Sequence, residues 1–582
     1  MAFVPAILAV VLVMFSLQSS PKELEQGLPA DVVFEGAGAA TTANRLVDSA
    51  RDRRAGTPGD RRAAAEVARA FRERGFTVEV DRFERDEKQL VNVVGRRAGE
   101  TGKQIVVVAD RDASGVPDAA GSASDTAALM ELARVFEGRP SEKTLVLASV
   151  DGSALGQVGA TRLIRSLPDP DQVEGIVTVS DLGYRGSAPP AVVGWSDTTD
   201  RASQRLQRTA SESVDQETGR VAPDTRAAGQ VARLSFPLGI GAQGVLLGEG
   251  YDAVRIAGGG EREDTSGAGS EAIDRDRLGT LGRVMLRTVN ALDGAAGSAG
   301  RPSAYVTVAG QIMPGWVLSV LALSLILPAL VATVDAFARI RRRRSPVAPW
   351  LAWLGVGVLA FALGIGLAHL LELVGAVDPP AAPVAPDLVP LDLGAIAVMA
   401  AVVLVVAGAW LGTRRAVVAA DPELNAPAAP GAAVVLCLAM TAGIVVLWLV
   451  NPFSALIMVP ALHLWMLATL VDPPPGRRTR LALVAGGLVL PALLVVYQLT
   501  ILGLDPLSGA WYLLLLVTGG HIGLVSSLLG CLFAAIFAGV VGVALSTPPE
   551  APRPPRDVPK VRGPATYAGP GSLGGTDSAL RR

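Results

Sequence analysis

The sequence predicts two structural classes in one chain: an α/β domain on a mixed, largely parallel sheet flanked by helices, then an all-α domain of several membrane spans. Composition supplies the first observation, because Pro21 to Gly300 is rich in Arg, Asp, Glu and Gly whereas Trp316 to Leu545 is almost uncharged apart from short Arg clusters. The second is a series of short apolar runs, LVNVVG, QIVVVAD, TLVLASVD and GIVTVSD, each ending in a polar turn. Helical patterns such as TAALMELARVF separate several of them, and this alternation points to βαβ units. The third is that apolar stretches near the ~20 residues needed to cross a bilayer follow one another after Ala304.

Taken in order, residues 1–19 form an apolar run with no basic residue before it, which reads as an uncleaved anchor, with a cleaved signal as the alternative. Residues 30–300 form the soluble domain. Within it a helix with apolar Ala64, Val67, Ala68 and Phe71 precedes a strand starting near Thr77. The polar run from Thr199 to Gly229 reads as a solvated helix and loop over the sheet edge. Residues 312–546 form the membrane domain, with spans at about Trp316–Phe337, Trp350–Val374, Leu393–Leu411, Ala432–Val450, Ser454–Val471 and Leu481–Leu502. The stretch Trp511–Leu545 is too long for one straight crossing and is interrupted at Gly519, Gly520 and His521. It makes either two spans or a re-entrant piece followed by one.

Charge predicts the topology. The clusters at Arg339–Arg344, Arg414–Arg415 and Arg477–Arg480 fall in alternate loops, which places those loops in the cytoplasm. The soluble domain is then extracytoplasmic. Residues 547–582, rich in Pro, Gly and Ser, read as a disordered cytoplasmic tail, and counting the N-terminal anchor gives about eight spans. A formal net charge of −2 gives no reason to invoke nucleic acid as a partner. The only two cysteines, Cys437 and Cys531, sit in predicted spans, so the exported domain folds without disulfides.

The chemistry concentrates between Ile105 and Ala160, which reads IVVVADRDASG, DAAGSASDTAALMELARVF and KTLVLASVDGSALGQVGA. In order and spacing this resembles the M28 family of co-catalytic zinc peptidases. There a strand ends in His-x-Asp, a Gly/Asp/Ser-rich loop opens a helix, and a later strand ends in Glu-Glu. The resemblance covers about Ala55 to Asp293 and implies an M28-type sheet, a zinc cofactor and exopeptidase activity. Carried over, the first histidine ligand falls on Asp110 and its orienting aspartate on Asp112. The metal-bridging aspartate falls on Gly121 and the Glu-Glu pair on Ser153 and Ala154, after Asp151. A further aspartate ligand is matched by Asp181, and the last histidine has no counterpart in Ala253–Met285.

Ligands and general base are thus missing, and the histidine count reinforces this. The chain has three histidines, His369, His463 and His521, all in apolar runs of the second half. A zinc pair needs nitrogen or carboxylate donors around each ion and a base beside the bridging water. No metal site and no cofactor are therefore expected, and no catalytic residue is assigned. An all-carboxylate site from Asp110, Asp112 and Asp181 would suit a hard ion, but acidic residues at strand ends more commonly cap turns.

Other chemistries fare no better. Ser153 lacks the Gly-x-Ser-x-Gly frame and a histidine base, and GIGAQG from Gly239 to Gly244 lacks the framing of a first βαβ unit. His369 and Glu372 lie one turn apart near a span end, His463 is more central, and His521 adjoins the glycine break. The expectation is a membrane-anchored, M28-like protein that binds or scaffolds rather than hydrolyses. A vestigial cleft of Asp110, Asp112, Asp151 and Asp181 would face a protein or peptide partner. Two alternatives stand beside it: an active aminopeptidase with ligands drawn from Asp118, Asp125 or Glu261, and a transporter or membrane-complex subunit.

Overall fold

The computed structural model describes residues 11, 14–25, 33–220, 225–262, 272–296, 300–420, 430–471 and 473–546, with the side chains of 416–420 left aside. Most of the expected N-terminal anchor and the whole of the expected tail, 547–582, lie outside the described residues.

Among the described residues ten strands form two sheets: β1 Gln18–Ser19, β2 Thr77–Arg85, β3 Lys88–Arg97, β4 Gln104–Asp110, β5 Thr144–Val150, β6 Val173–Ser180, β7 Ala191–Val193, β8 Ala253–Ala257, β9 Tyr305–Val308 and β10 Gln311–Pro314. Seven make the main sheet, in the order β2-β3-β5-β4-β6-β8-β7. Strands β5, β4, β6 and β8 run parallel, with Val106 opposite Val146 on one side and Ile176 on the other. The β2–β3 hairpin and β7 close the edges antiparallel. Parallel strands buried on both faces need continuous apolar runs. Val106, Val107, Leu147, Ile176 and Val177 are accordingly fully buried. The sheet is therefore the mixed, largely parallel one that the sequence predicts.

Helices Gly36–Ser49, Pro58–Glu73, Ser124–Val135 and Arg275–Asp293 pack together over one face. Thr57 caps Pro58–Glu73 by accepting from Asp60 N, with Pro58 in the first turn where its missing N–H costs nothing. Ala64, Val67, Ala68 and Phe71 are its buried stripe, as their spacing predicts. Helix Gln204–Thr218 is less solvated than its polar sequence suggests. It buries Leu206, Ala210 and Val214 against Arg275–Asp293, because small and β-branched residues recur on one face.

Seven described helices are long and apolar enough to cross a membrane: Gly315–Arg342, Ala348–Leu373, Leu393–Arg415, Pro430–Val450, Pro452–Thr469, Arg477–Leu502 and Leu524–Leu545. The protein is a multi-pass membrane protein. The interrupted stretch resolves into a short helix, Pro506–Thr518, and the full-length helix Leu524–Leu545, with Gly520 between them at φ +75°. Thirteen residues span about 20 Å, too short to cross.

The soluble domain is seated on this sector through unpaired helix ends. The last carbonyls of an α-helix lack intrahelical donors. In helix Ala227–Ser235 those of Leu234 and Ser235 are met by Asn451 Nδ2 at 2.8 Å and by Ser454 Oγ. Asn451 Oδ1 simultaneously caps the membrane helix Pro452–Thr469, accepting from Phe453 N and Ser454 N. One side-chain amide thus finishes one helix and starts another. Phe453 is buried beside it with Leu234, Val306, Met313 and Val317. Asn451→Ala should lower unfolding free energy by about 2 kcal/mol, the sum of a lost N-cap and a buried carbonyl left unpaired. Denaturant titration of the full-length protein in detergent checks this, with Thr500→Ala, an exposed hydroxyl, as the near-silent comparison.

Candidate functional site

The carboxyl ends of β4, β5 and β6 carry Asp110, Asp151 and Asp181, as expected for residues that close parallel strands. One of them, Asp151, lies against a buried cation that sequence reasoning missed. Arg111, between the two aspartates of Asp-x-Asp, is fully buried. Its guanidinium binds Asp60 by a two-pronged pair at 2.9 and 2.7 Å, donates to Val91 O and Ser149 O, and lies 3.7 Å from Asp151 Oδ2. Asp60 arrives in the first turn of Pro58–Glu73, so this ion pair ties that helix to three strands. The one sequence signal for it was an arginine at the end of an apolar strand.

Asp151 belongs to this network. Its Oδ2 accepts from Val91 N at 3.0 Å and Asn92 Oδ1 accepts from Asp151 N. Burial, reinforced by the negative charges of Asp60 and Asp112, pushes the Asp151 carboxyl up to about 8. Asp112 is likewise buried, and its carboxylate accepts from Ser153 N at 2.9 Å and Ala154 N at 3.3 Å. Burial pushes it to about 6. The positions that match Glu-Glu are therefore a turn whose backbone amides are held by the aspartate of Asp-x-Asp.

Asp125 reaches from the start of Ser124–Val135 to the turn after β6, accepting from Asp181 N and Leu182 N, both at 2.9 Å. Burial and the neighbouring Asp181 raise its carboxyl well above the ordinary range. Asp181 itself is at φ +55°. Asp118 caps its own loop through Ser122, and buried Arg53 donates to Pro117 O, Asp118 O and Ser122 Oγ. The carboxylate of Asp118 occupies the space over Gly121, where a Cβ would lie 2.2 Å from Asp118 Oδ1. Asp110 accepts from Gln157 Nε2 at 3.3 Å and is the one of Asp110, Asp112, Asp151 and Asp181 that stays partly exposed. Glu261 is engaged with Arg233 near the membrane sector.

These strand ends face the membrane sector. The turn after β5 ends at Gly156, φ +89°, where a Cβ would lie 2.3 Å from Ala382 N. Ala381 N donates to Leu155 O at 3.3 Å. A groove of about 740 Å³ opens alongside, lined by Arg85, Arg162 and Arg165 from the soluble domain and by Asp378 and Glu372 from the membrane sector.

The remaining motifs resolve simply. No strand leads directly into GIGAQG, which packs Gly239 against Gly244 before the short helix Ala242–Gly248. His369 and Glu372 are 3.6 Å apart, both substantially exposed. His463 Nδ1 is 2.9 Å from Val459 O one turn back, and His521 Nε2 is 3.0 Å from Pro380 O.

No known family and no curated protein matches the sequence. Among solved structures, part of the chain superposes on a glutaminyl cyclase from an Acidobacteriales bacterium, at 14% identity over 47% of this chain and 99% of that one, with a TM-score of 0.36. A zinc aminopeptidase from Bacillus subtilis gives 12% identity over 44% and 95%, TM-score 0.35. An aminopeptidase from Aneurinibacillus sp. strain AM-1 gives 12% over 44% and 93%, TM-score 0.37.

The described residues do not bring together the donors that the zinc pair of the resembled peptidases needs. Among the described residues no three His, Cys, Asp or Glu side chains come together as a metal site. The carboxylates of Asp112, Asp125 and Asp151 are engaged by backbone amides and Arg111, and a Cβ at Gly121 would lie 2.2 Å from Asp118 Oδ1. No reaction step is derived through zinc.

The raised carboxyl of Asp151 fixes a pH dependence. Because its folded value of about 8 exceeds the ordinary ~4, the associated stability is fully present below pH 4 and is lost as pH rises through 8. The melting temperature of the full-length protein should fall between pH 5 and 9, and Asp151→Asn should flatten that fall. Thermal scans in detergent across this range check it.

Proposed function

We propose that this protein displays an M28-like domain on the outer face of a membrane and acts there as a binding or scaffolding module rather than a hydrolase. The observation that carries the reading is the use of Asp112 to hold the amides of Ser153 and Ala154. The place where the resembled peptidases hold their base and a ligand is here a self-satisfied turn. The order of motifs from Asp110 to Asp181 supports the M28-like assignment. The hydrogen bonds of Asn451, Ser454 and Gln498 to the soluble domain support a fixed platform rather than a tethered domain.

Asp110, Asp112 and Asp181 give the strand ends an acidic character that suits a cationic group such as a peptide amino terminus, whereas Asp151, pushed up to about 8, is largely neutral at physiological pH. Arg53 and Arg111 offset part of that charge, so the recognition would fall on Asp110, the partly exposed carboxylate.

Elemental analysis of the full-length protein should find no stoichiometric zinc, and aminoacyl anilides should not be hydrolysed above the blank with or without added zinc. A photoreactive peptide with a free amino terminus should crosslink to the protein, and Asp110→Asn should reduce that labelling about fivefold, the loss of one charge-assisted contact. One or two equivalents of zinc, removed by a chelator together with peptidase activity, would sink the reading.

The outward placement of the domain rests on the Arg clusters. Every contact named above between domain and sector uses 381–382, 451–454 or 498, and none uses Arg339–Arg344 or Arg414–Arg415. With the buried native cysteines retained, an impermeant maleimide on intact cells should label Glu87→Cys and Asp378→Cys but not Pro346→Cys. All three positions are exposed. Labelling of Pro346→Cys alone would invert the orientation.

A further inference from the structure

The opposite end of the membrane sector holds a cavity of about 460 Å³ between helices Gly315–Arg342, Pro430–Val450, Pro452–Thr469 and Arg477–Leu502. Its charged lining is cationic, Arg339, Arg343 and Arg480, with Thr469 as a neutral polar residue beside them. Among the described residues that line it, none is a carboxylate. Arg339 is paired with Asp335 at 3.0 Å, outside that lining. Arg480 is only 4% exposed, and its guanidinium donates to the carbonyls of Val543 and Ser546, both at 2.8 Å. Carbonyls orient a guanidinium but do not neutralise it. Among the described residues no carboxylate pairs with Arg480 or with Arg343.

A permanently charged group buried at the end of a helix bundle is costly unless an anion compensates it. Backbone geometry adds to the demand. Pro430, Ala433 and Val434 belong to the first turns of one helix and Arg480 to the first turn of another, so two helix N-termini converge on the cavity. Gly476, the cap of the second, has no side chain to satisfy the free amides. The other walls, Ala336, Ile340, Leu470 and Val543, are apolar.

We propose that this cavity binds one phosphate-bearing anion. The guanidiniums of Arg343 and Arg480, which have no described carboxylate partner, and two helix N-termini match a phosphate mono- or diester, and the apolar walls favour the headgroup of an anionic phospholipid over free phosphate. The geometry is independent of which leaflet this end faces.

The test uses the full-length protein purified in a neutral detergent and examined by native mass spectrometry. Phosphatidylglycerol is expected to remain bound at about one per chain where phosphatidylcholine is lost. Arg343→Gln, at an exposed position with no described partner, should weaken retention about fivefold, as expected for one interfacial arginine. Arg480→Gln removes the supports of Val543 and Ser546 and can fail to fold, so Arg343→Gln, checked for an unchanged melting temperature, carries the decision. Inorganic phosphate at millimolar concentration that raises the melting temperature and displaces the lipid would confirm the anion site and assign it to soluble phosphate. Phosphate without effect beside retained phosphatidylglycerol assigns it to lipid. Equal retention of the two lipids, or no change in Arg343→Gln, overturns the proposal.

Discussion

Arg111 is the residue on which the strand ends depend. A full positive charge with no solvent exposure has to be surrounded by acceptors, and its partners come from a helix, Asp60, and from strand carbonyls, Val91 and Ser149. Removing any one of them would leave a buried charge short of partners, which is far more damaging than losing a surface ion pair. The network therefore fixes where β3, β5 and helix Pro58–Glu73 meet. Through Asp151 and Asn92 it also fixes the direction in which the chain leaves β5. The turn that follows, held by Asp112, inherits its position from that exit.

Viewed this way, the strand-end aspartates are structural partners before they are anything else. Asp112 and Asp125 each hold two backbone amides of a neighbouring turn, and Asp118 holds Ser122. Carboxylates are well suited to this, because two oxygens can satisfy two donors that a buried turn would otherwise leave open. In Asp112 and Asp125 protonation is shifted upward all the same. The amides favour the ionised form, but burial next to further carboxylates outweighs them.

Much of this was legible in the sequence. Apolar runs ending in polar turns located β3 to β6, and the spacing of Ala64, Val67, Ala68 and Phe71 located a helix and its buried face. The glycine break at 519–520 marked where the last apolar stretch divides. What escaped was long-range and polar: nothing in the sequence around Arg111 indicates Asp60 as its partner 51 residues away, and nothing around Asn451 indicates the helix end at Leu234. Periodicity reports burial along one element, whereas these contacts are set by how elements meet. The closed position at Gly121 was equally invisible, because the obstruction is the carboxylate of Asp118 folding back over it.

Gly156 has a consequence of another kind. A Cβ there would lie 2.3 Å from Ala382 N, in a loop that joins two membrane helices, so the sheet's carboxyl edge rests directly on the membrane sector. A ligand of Asp110 that is itself held on the membrane surface would then find the site by a search in two dimensions, ahead of one arriving from bulk solution.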